Sequence, residues 1–277
     1  AWQPAHAACN RAQNMALTEL VGPEVVSAVL NPEIIIGTGL YLVLKPILKQ
    51  SGLIDKTKGA YKNSMVAYNV LMALYSATAF IVTGVALGWD RGYGQWLRDL
   101  TGDKVVTLYT DSCPSPVFNS KLFVWAAWSF YYSKYFEYLD TAWLVLKGKD
   151  VSFLQTFHHF GAPWDVYFGI VLQNEGLWIF LGFNAFIHTV MYTYFAITAA
   201  GFAYPAKFLI TAMQICQFII GFAVVWPYGS IPCFVASKPM MFSWIFNYAY
   251  VGTVLALFLH FFYNDNFVKK PKKEKSK

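Results

Sequence analysis

Residues 153–167 read Phe153-Leu154-Gln155-Thr156-Phe157-His158-His159-Phe160-Gly161-Ala162-Pro163-Trp164-Asp165-Val166-Tyr167. An amide, two adjacent imidazoles and a carboxylate sit inside an apolar run that extends over about 152–172. Gln155, His158 and His159 are related by three and four positions, so a helix puts them on one face. Such a helix cannot turn that face to lipid, because polar groups in hydrocarbon need a partner or a wet cavity. The stretch therefore reads as one wall of a membrane bundle that encloses something polar.

Six further apolar stretches flank it, at about 33–49, 64–87, 118–146, 176–198, 206–227 and 242–263. Most approach the roughly 20 residues needed to cross a bilayer core about 30 Å thick. The first is short and ends at Lys45-Pro46. Gly and Pro punctuate the intervals. The chain has 277 residues, of which 57% are apolar, 19% aromatic and only 13% charged. Soluble domains carry charge on about a quarter of their residues. The reading is an all-α, seven-helix membrane protein, one domain over 1–277, with a basic tail at 264–277. Residues 1–30 lack a charged segment followed by an apolar one, so no cleavable signal peptide is expected within them.

The net charge of +6 is concentrated in the tail, at Lys269, Lys270, Lys272, Lys273, Lys275 and Lys277. No basic stripe interleaved with stacking aromatics occurs elsewhere, which argues against a nucleic-acid partner. Lysines in loops favour the cytosolic side. Placing the tail there puts 13 basic residues on that side, with Lys49, Lys56, Lys58, Lys62, Lys147, Lys149 and Lys207 among them. The far side keeps five: Arg11, Arg91, Arg98, Lys104 and Lys238. The N-terminus is then lumenal and the C-terminus cytosolic. Cys113 and Cys233 fall in lumenal loops, where an oxidising compartment permits a disulfide between them; two free thiols are the alternative. Cys9 lies on the same side, and Cys216 falls within a span.

Other spans also carry polar stripes. Lys134, Glu137, Asp140 and Thr141 share a helical face in the third, as a structural ion network, a cavity wall, or both. Asn184, His188, Met191 and Tyr192 share one in the fifth, and Thr211, Gln214 and Gln217 in the sixth. The seventh contains Asn247, Tyr250 and His260, the last an interfacial residue beside the tail. Inward polar stripes on four successive spans imply a closed, polar-lined chamber. Asp165 could orient this site or face the lumenal interface.

Three chemistries compete for the chamber. A di-iron oxygenase needs more ligands than five histidines supply, at least a facial triad per metal, so no metal is expected. A proton-coupled transporter could use Lys134, Glu137 and Asp140 as a relay. A nucleophilic or acid–base role for histidine in a hydrophobic chamber is the third.

The motifs Lys134-x-x-Glu137-x-x-Asp140-Thr141, Gln155-x-x-His158-His159, Asn184-x-x-x-His188-x-x-Met191-Tyr192-x-Tyr194 and Thr211-x-x-Gln214-x-x-Gln217 together resemble the ELO family of fatty-acid elongases. The run from Phe153 to Tyr167 is most similar to haptophyte elongases acting on Δ9 polyunsaturated C18 chains. Two positions depart from the family: Gln155 stands where a histidine is usual, and Phe195 where many relatives have tyrosine. Glutamine hydrogen-bonds but carries no proton to and fro, so Gln155 is expected to orient substrate or a histidine.

The resemblance implies six of seven helices around a closed tunnel. It implies a 3-ketoacyl-CoA synthase of the very-long-chain type, which condenses acyl-CoA with malonyl-CoA and uses no cofactor. His158 would carry the acyl group as an acyl-imidazole. His159 and His188 would serve as base, second nucleophile or oxyanion stabiliser, with Asp140 holding an imidazole in its useful tautomer. Lys134, Glu137, Gln155, Asn184, Tyr192, Gln214 and Gln217 would support the site. The CoA phosphates would meet Lys147, Lys149, Lys207 or the tail lysines. An endoplasmic-reticulum address also follows, and Lys273-Glu274-Lys275-Ser276-Lys277 resembles a lysine-based retrieval signal. Expected partners are the lipid bilayer and the microsomal ketoacyl reductase, dehydratase and enoyl reductase; a homodimer is allowed.

Overall fold

The computed structural model describes residues 19–51 and 61–268. Among the described residues the chain is all helix and turn, with no strand. Two proline-led helices come first: α1 (Pro23–Val29) and α2 (Pro32–Gln50), the latter capped by Asn31, whose side chain accepts from Glu33 N–H at 2.9 Å. Proline suits these starts, because the first helical N–H has no partner in any case. Then follow α3 (Lys62–Ala86) and the short α4 (Gln95–Thr101). Next come α5 (Lys121–Phe136), α6 (Tyr138–Leu146), α7 (Phe153–Val171) and α8 (Leu177–Ala200). The chain closes with α9 (Lys207–Val225), α10 (Pro232–Ala236) and α11 (Lys238–Asn266).

Five helical segments are long and apolar enough to cross a membrane: Pro23–Gln50, Lys62–Ala86, Leu177–Ala200, Lys207–Ser230 and Lys238–Asn266. The first, expected to be short, gains length from α1. The other two expected spans are helical but differ in kind. The stretch 118–146 divides at Glu137 (φ −62°, ψ −16°), where Asp140 N–H reaches back to the Glu137 carbonyl at 3.0 Å, an i→i+3 bond. That tightening ends α5 and starts α6. In α7, Gln155, His158, His159 and Asp165 dilute the apolar content. The final helix runs to Asn266, past the expected tail boundary at 264; residues 269–277, with the six tail lysines, lie outside the described residues, as do Cys9, Arg11, Lys56 and Lys58.

Neighbouring helices close into a ring in the order α3, α8, α9, α11, α7, α5 and back to α3, while α2 packs outside against α6 and α7. Side chains fill one end of the ring. Phe123, Tyr131, Leu172, Leu181 and Tyr228 are buried there beside the loops that flank α4, α8 and α10. Cys113 and Cys233 are bonded at this end, with Cα atoms 5.9 Å apart, and Cys233 N–H donates to Asp111 Oδ1 at 2.8 Å. Glu175, in the turn between α7 and α8, is buried under the same loops. It accepts from Tyr109 N–H and Tyr228 OH, each at 2.6 Å, and from the Ser115 hydroxyl. The opposite end of the ring is hollow.

Candidate active site

The hollow is a cavity of about 670 Å³ whose wall includes Glu137, Asp140, Gln155, His158, His159, His188, Tyr192 and Gln214, with Lys147, Lys149 and Lys207 also lining it. Serine caps α7: the Ser152 hydroxyl accepts from Gln155 N–H at 3.2 Å. This sets the helical phase that sends Gln155, His158 and His159 to the wall. Pro163 deprives the His159 carbonyl of its helical donor one turn on.

The electrostatic centre is Glu137, which is 2% exposed. Its Oε1 accepts from Lys134 Nζ at 2.7 Å and stands 3.3 Å from His188 Nδ1. Lys134 Nζ also donates to Asn184 Oδ1 at 3.1 Å and lies over the Phe130 ring. At 3% exposure Lys134 needs these partners, since an unpaired buried charge costs several kcal/mol. Lys134 and Asn184 stand behind the wall, not on it. Gln217 is likewise off the cavity, buried in α9 with no partner for its Oε1. Across the turn at Glu137 the third-span residues keep an inward face: Lys134, Glu137 and Asp140 each reach α8, at Asn184, His188 and Tyr192, and Thr141 meets Tyr41 and Gln155.

Asp140 does not hold an imidazole. It accepts from the buried Tyr192 hydroxyl at 2.7 Å, and the carboxylate beside a histidine is Glu137. Gln155 Nε2 donates to Thr141 Oγ1 at 3.1 Å, and Thr141 Oγ1 is 3.1 Å from Tyr41 OH. His159 packs beside the paired Tyr41 and Tyr138 rings, with centroids 5.9 and 6.4 Å away. His158 meets Tyr250, whose hydroxyl is 2.9 Å from the His158 carbonyl oxygen and 3.2 Å from Nδ1. Tyr41 and Tyr250 escaped the sequence reading as site residues. Each joins the site across about a hundred positions, which no local spacing encodes.

Asp165 lies one turn beyond Gly161 and binds Asn247 Nδ2 through both carboxylate oxygens, at 3.0 and 2.9 Å. His260 is exposed and pairs with Asn264. Lys207 pairs with Asp265 at 2.5 Å. Burial pushes the Lys147 ammonium below the usual lysine range, and the neighbouring Lys149 charge adds to this. One oxygen of Glu137 and one ring nitrogen each of His158 and His188 lie within 4.8 Å of one another. A divalent cation could span that trio. However, Lys134 already supplies the positive charge at the Glu137 oxygen, and three ligands with one so engaged make a poor metal site.

Residues 29–275 match the model of the ELO family, described as GNS1/SUR4. The chain is similar to very long chain fatty acid elongase 7 of Rattus norvegicus, 30% identical over 236 residues that cover 81% of this chain and 77% of that one. It is similar also to very long chain fatty acid elongase 1 of Mus musculus, 30% identical over 215 residues, or 72% and 69% of the two chains. Fatty acid elongase A of Dictyostelium discoideum is 36% identical over 113 residues, 41% of each.

Proposed function

The chain belongs to the ELO family, a multi-pass membrane family of fatty-acid elongation, and we propose that it catalyses the condensing step on a polyunsaturated Δ9 C18 acyl-CoA. The observation that carries the chemistry is His158 on a cavity wall, close to a second histidine, His188, that leans on a buried carboxylate.

In the first half-reaction a ring nitrogen of His158 attacks the thioester carbon. The C–N bond forms, the C–S bond breaks, and CoA leaves as the thiolate. Malonyl-CoA then loses carbon dioxide, and the resulting enolate carbon attacks the acyl carbon. The C–N bond breaks, which returns His158 and releases 3-ketoacyl-CoA. His188 serves the proton steps: with Nδ1 against Glu137, its other nitrogen is free to give or take a proton. Splitting one hard displacement into two is what a covalent intermediate contributes. No cofactor enters this balance. His159 packs beside two tyrosine rings and supports the pair.

Lys147, Lys149 and Lys207 at the rim suit the phosphates of CoA. This favours a cytosolic mouth in the endoplasmic-reticulum membrane, with the packed, disulfide-bearing end toward the lumen. The product would pass to a ketoacyl reductase, a dehydratase and an enoyl reductase in the same membrane.

The test is an acyl-CoA panel with purified protein and labelled malonyl-CoA, read by which chains gain two carbons. Extension of Δ9 C18 acyl-CoAs ahead of saturated chains supports the reading. Absence of incorporation with every chain overturns it, and proton-linked flux without covalent product would favour the transporter.

A further inference from the structure

Tyr250 touches the residue assigned as nucleophile, yet the condensation just described gives it no part. Its ring is fixed from three sides. It lies against Gly161, where an added Cβ would collide with it. It also stacks near Phe157 and Phe246, at centroid distances of 5.7 and 6.3 Å. The hydroxyl therefore has little freedom, and it meets two His158 atoms, the carbonyl oxygen at 2.9 Å and Nδ1 at 3.2 Å.

A phenol has one proton to donate and a carbonyl has none. If that proton pointed to Nδ1, two oxygen lone pairs would face each other at 2.9 Å. The proton must lie between the phenol and the carbonyl. The phenol oxygen is then left as an acceptor, and the hydrogen toward it must come from Nδ1. Which imidazole nitrogen bears the proton is set by the partner of the other. We propose that Tyr250 is a positioning residue that holds His158 as its Nδ1–H tautomer and so leaves Nε2 as the nucleophilic atom.

The proposal rests on the acyl-histidine reading and adds the atom. The carbon–nitrogen bond forms at Nε2 as the C–S bond breaks and the thiolate leaves. The ring keeps its proton on Nδ1 and becomes an acyl-imidazolium, with the positive N–H facing the phenol oxygen. When the enolate carbon attacks, the C–N electron pair returns to Nε2, and the starting tautomer is restored. No proton need leave His158 in either half, and the acyl group is a better electrophile for the retained charge.

Tyr250→Phe keeps the ring on Gly161 and deletes only the hydroxyl. In single-turnover acylation with acyl-CoA alone, read by mass spectrometry of the His158 adduct, the rate should fall roughly 10²-fold while half-saturation by acyl-CoA stays unchanged. Imidazole nitrogen shifts of histidine-labelled wild-type protein should report Nδ1–H at His158. An Nε2–H tautomer there overturns the proposal whatever the variant does, and so does wild-type acylation speed in Tyr250→Phe. Absence of any His158 adduct in the wild type overturns the acyl-histidine reading and this proposal together; an adduct with the wrong tautomer overturns the proposal alone.

Discussion

His188 Nδ1 stands 3.3 Å from the Glu137 carboxylate, at the same oxygen that takes the Lys134 ammonium at 2.7 Å. One buried carboxylate thus neutralises a lysine and orients a histidine on a different helix. Replacing it separates the two roles. Glu137→Gln leaves the Lys134 charge without a counterion, which should cost about 3–5 kcal/mol and abolish condensation. His188→Gln keeps the ion pair and should leave the melting temperature close to wild type while condensation is lost. Thermal melts in detergent beside the malonyl-CoA assay check both. A Glu137→Gln melt that overlays wild type would show that the carboxylate is not the counterion.

At the rim, the proposed Lys147–CoA contact predicts a pH limit. Phosphate binding there requires the ammonium, which exists below its pKa, and burial has moved that pKa down. The KM for CoA esters should therefore hold steady at lower pH and rise as pH climbs through the depressed value, before an ordinary lysine would lose its proton. Lys147→Arg keeps its charge throughout and should flatten the profile. Lys147→Gln should raise KM at neutral pH by about 10- to 150-fold, since a hydrogen bond to a charged group is worth about 1.5–3 kcal/mol. The phosphates lie away from the reacting carbon, so kcat should not change. A KM that does not respond to Lys147→Gln would remove this residue from the CoA site.

Glu175 makes the complementary case, a buried carboxylate far from the chemistry. It ties Tyr109, Ser115 and Tyr228 at the packed end, and Tyr228 in turn accepts from Trp178 Nε1 at 2.9 Å. Glu175→Ala strands three donors, each worth about 1–3 kcal/mol, and should cost about 3–9 kcal/mol, seen in the melt. The KM for acyl-CoA of the folded fraction should stay at the wild-type value. Glu175→Gln retains an acceptor and should lose less. A specific activity that falls with intact stability would place Glu175 in the reaction path instead.

What the sequence made legible follows from how each residue reaches the site. Periodicity within one helix brought Gln155, His158 and His159 to a common face, and all three line the cavity. The apolar stretches located the helices to within a few residues. The same rule brought Lys134, Glu137 and Asp140 to α8 across the turn at Glu137. It carried less far at Gln217, because three-residue spacing drifts around a helix of 3.6 residues per turn and takes that amide off the cavity wall. Tyr41 and Tyr250 depend on packing between distant helices. The sequence placed Tyr250 on the seventh span beside Asn247, and its approach to His158 runs over Gly161, two residues past the histidine pair.

Gln155 offers the sharpest contrast between family pattern and structure. The family's usual histidine at this position suggests a third imidazole in the chemistry. Here Gln155 Nε2 donates to Thr141 Oγ1, which is linked to Tyr41 OH, so the amide serves as a tie between α7, α6 and α2. A histidine can supply the same donor from a ring nitrogen. Gln155→His should therefore retain condensation within about tenfold, a loss of at most one hydrogen bond's net worth of about 0.5–1.5 kcal/mol. Gln155→Leu leaves the Thr141–Tyr41 pair without its third member and should lower kcat more than it raises KM, because Tyr41 also stacks on His159. The acyl-CoA panel run on both variants decides the matter. Full activity in Gln155→Leu would mean that the amide neither ties the helices nor touches the substrate.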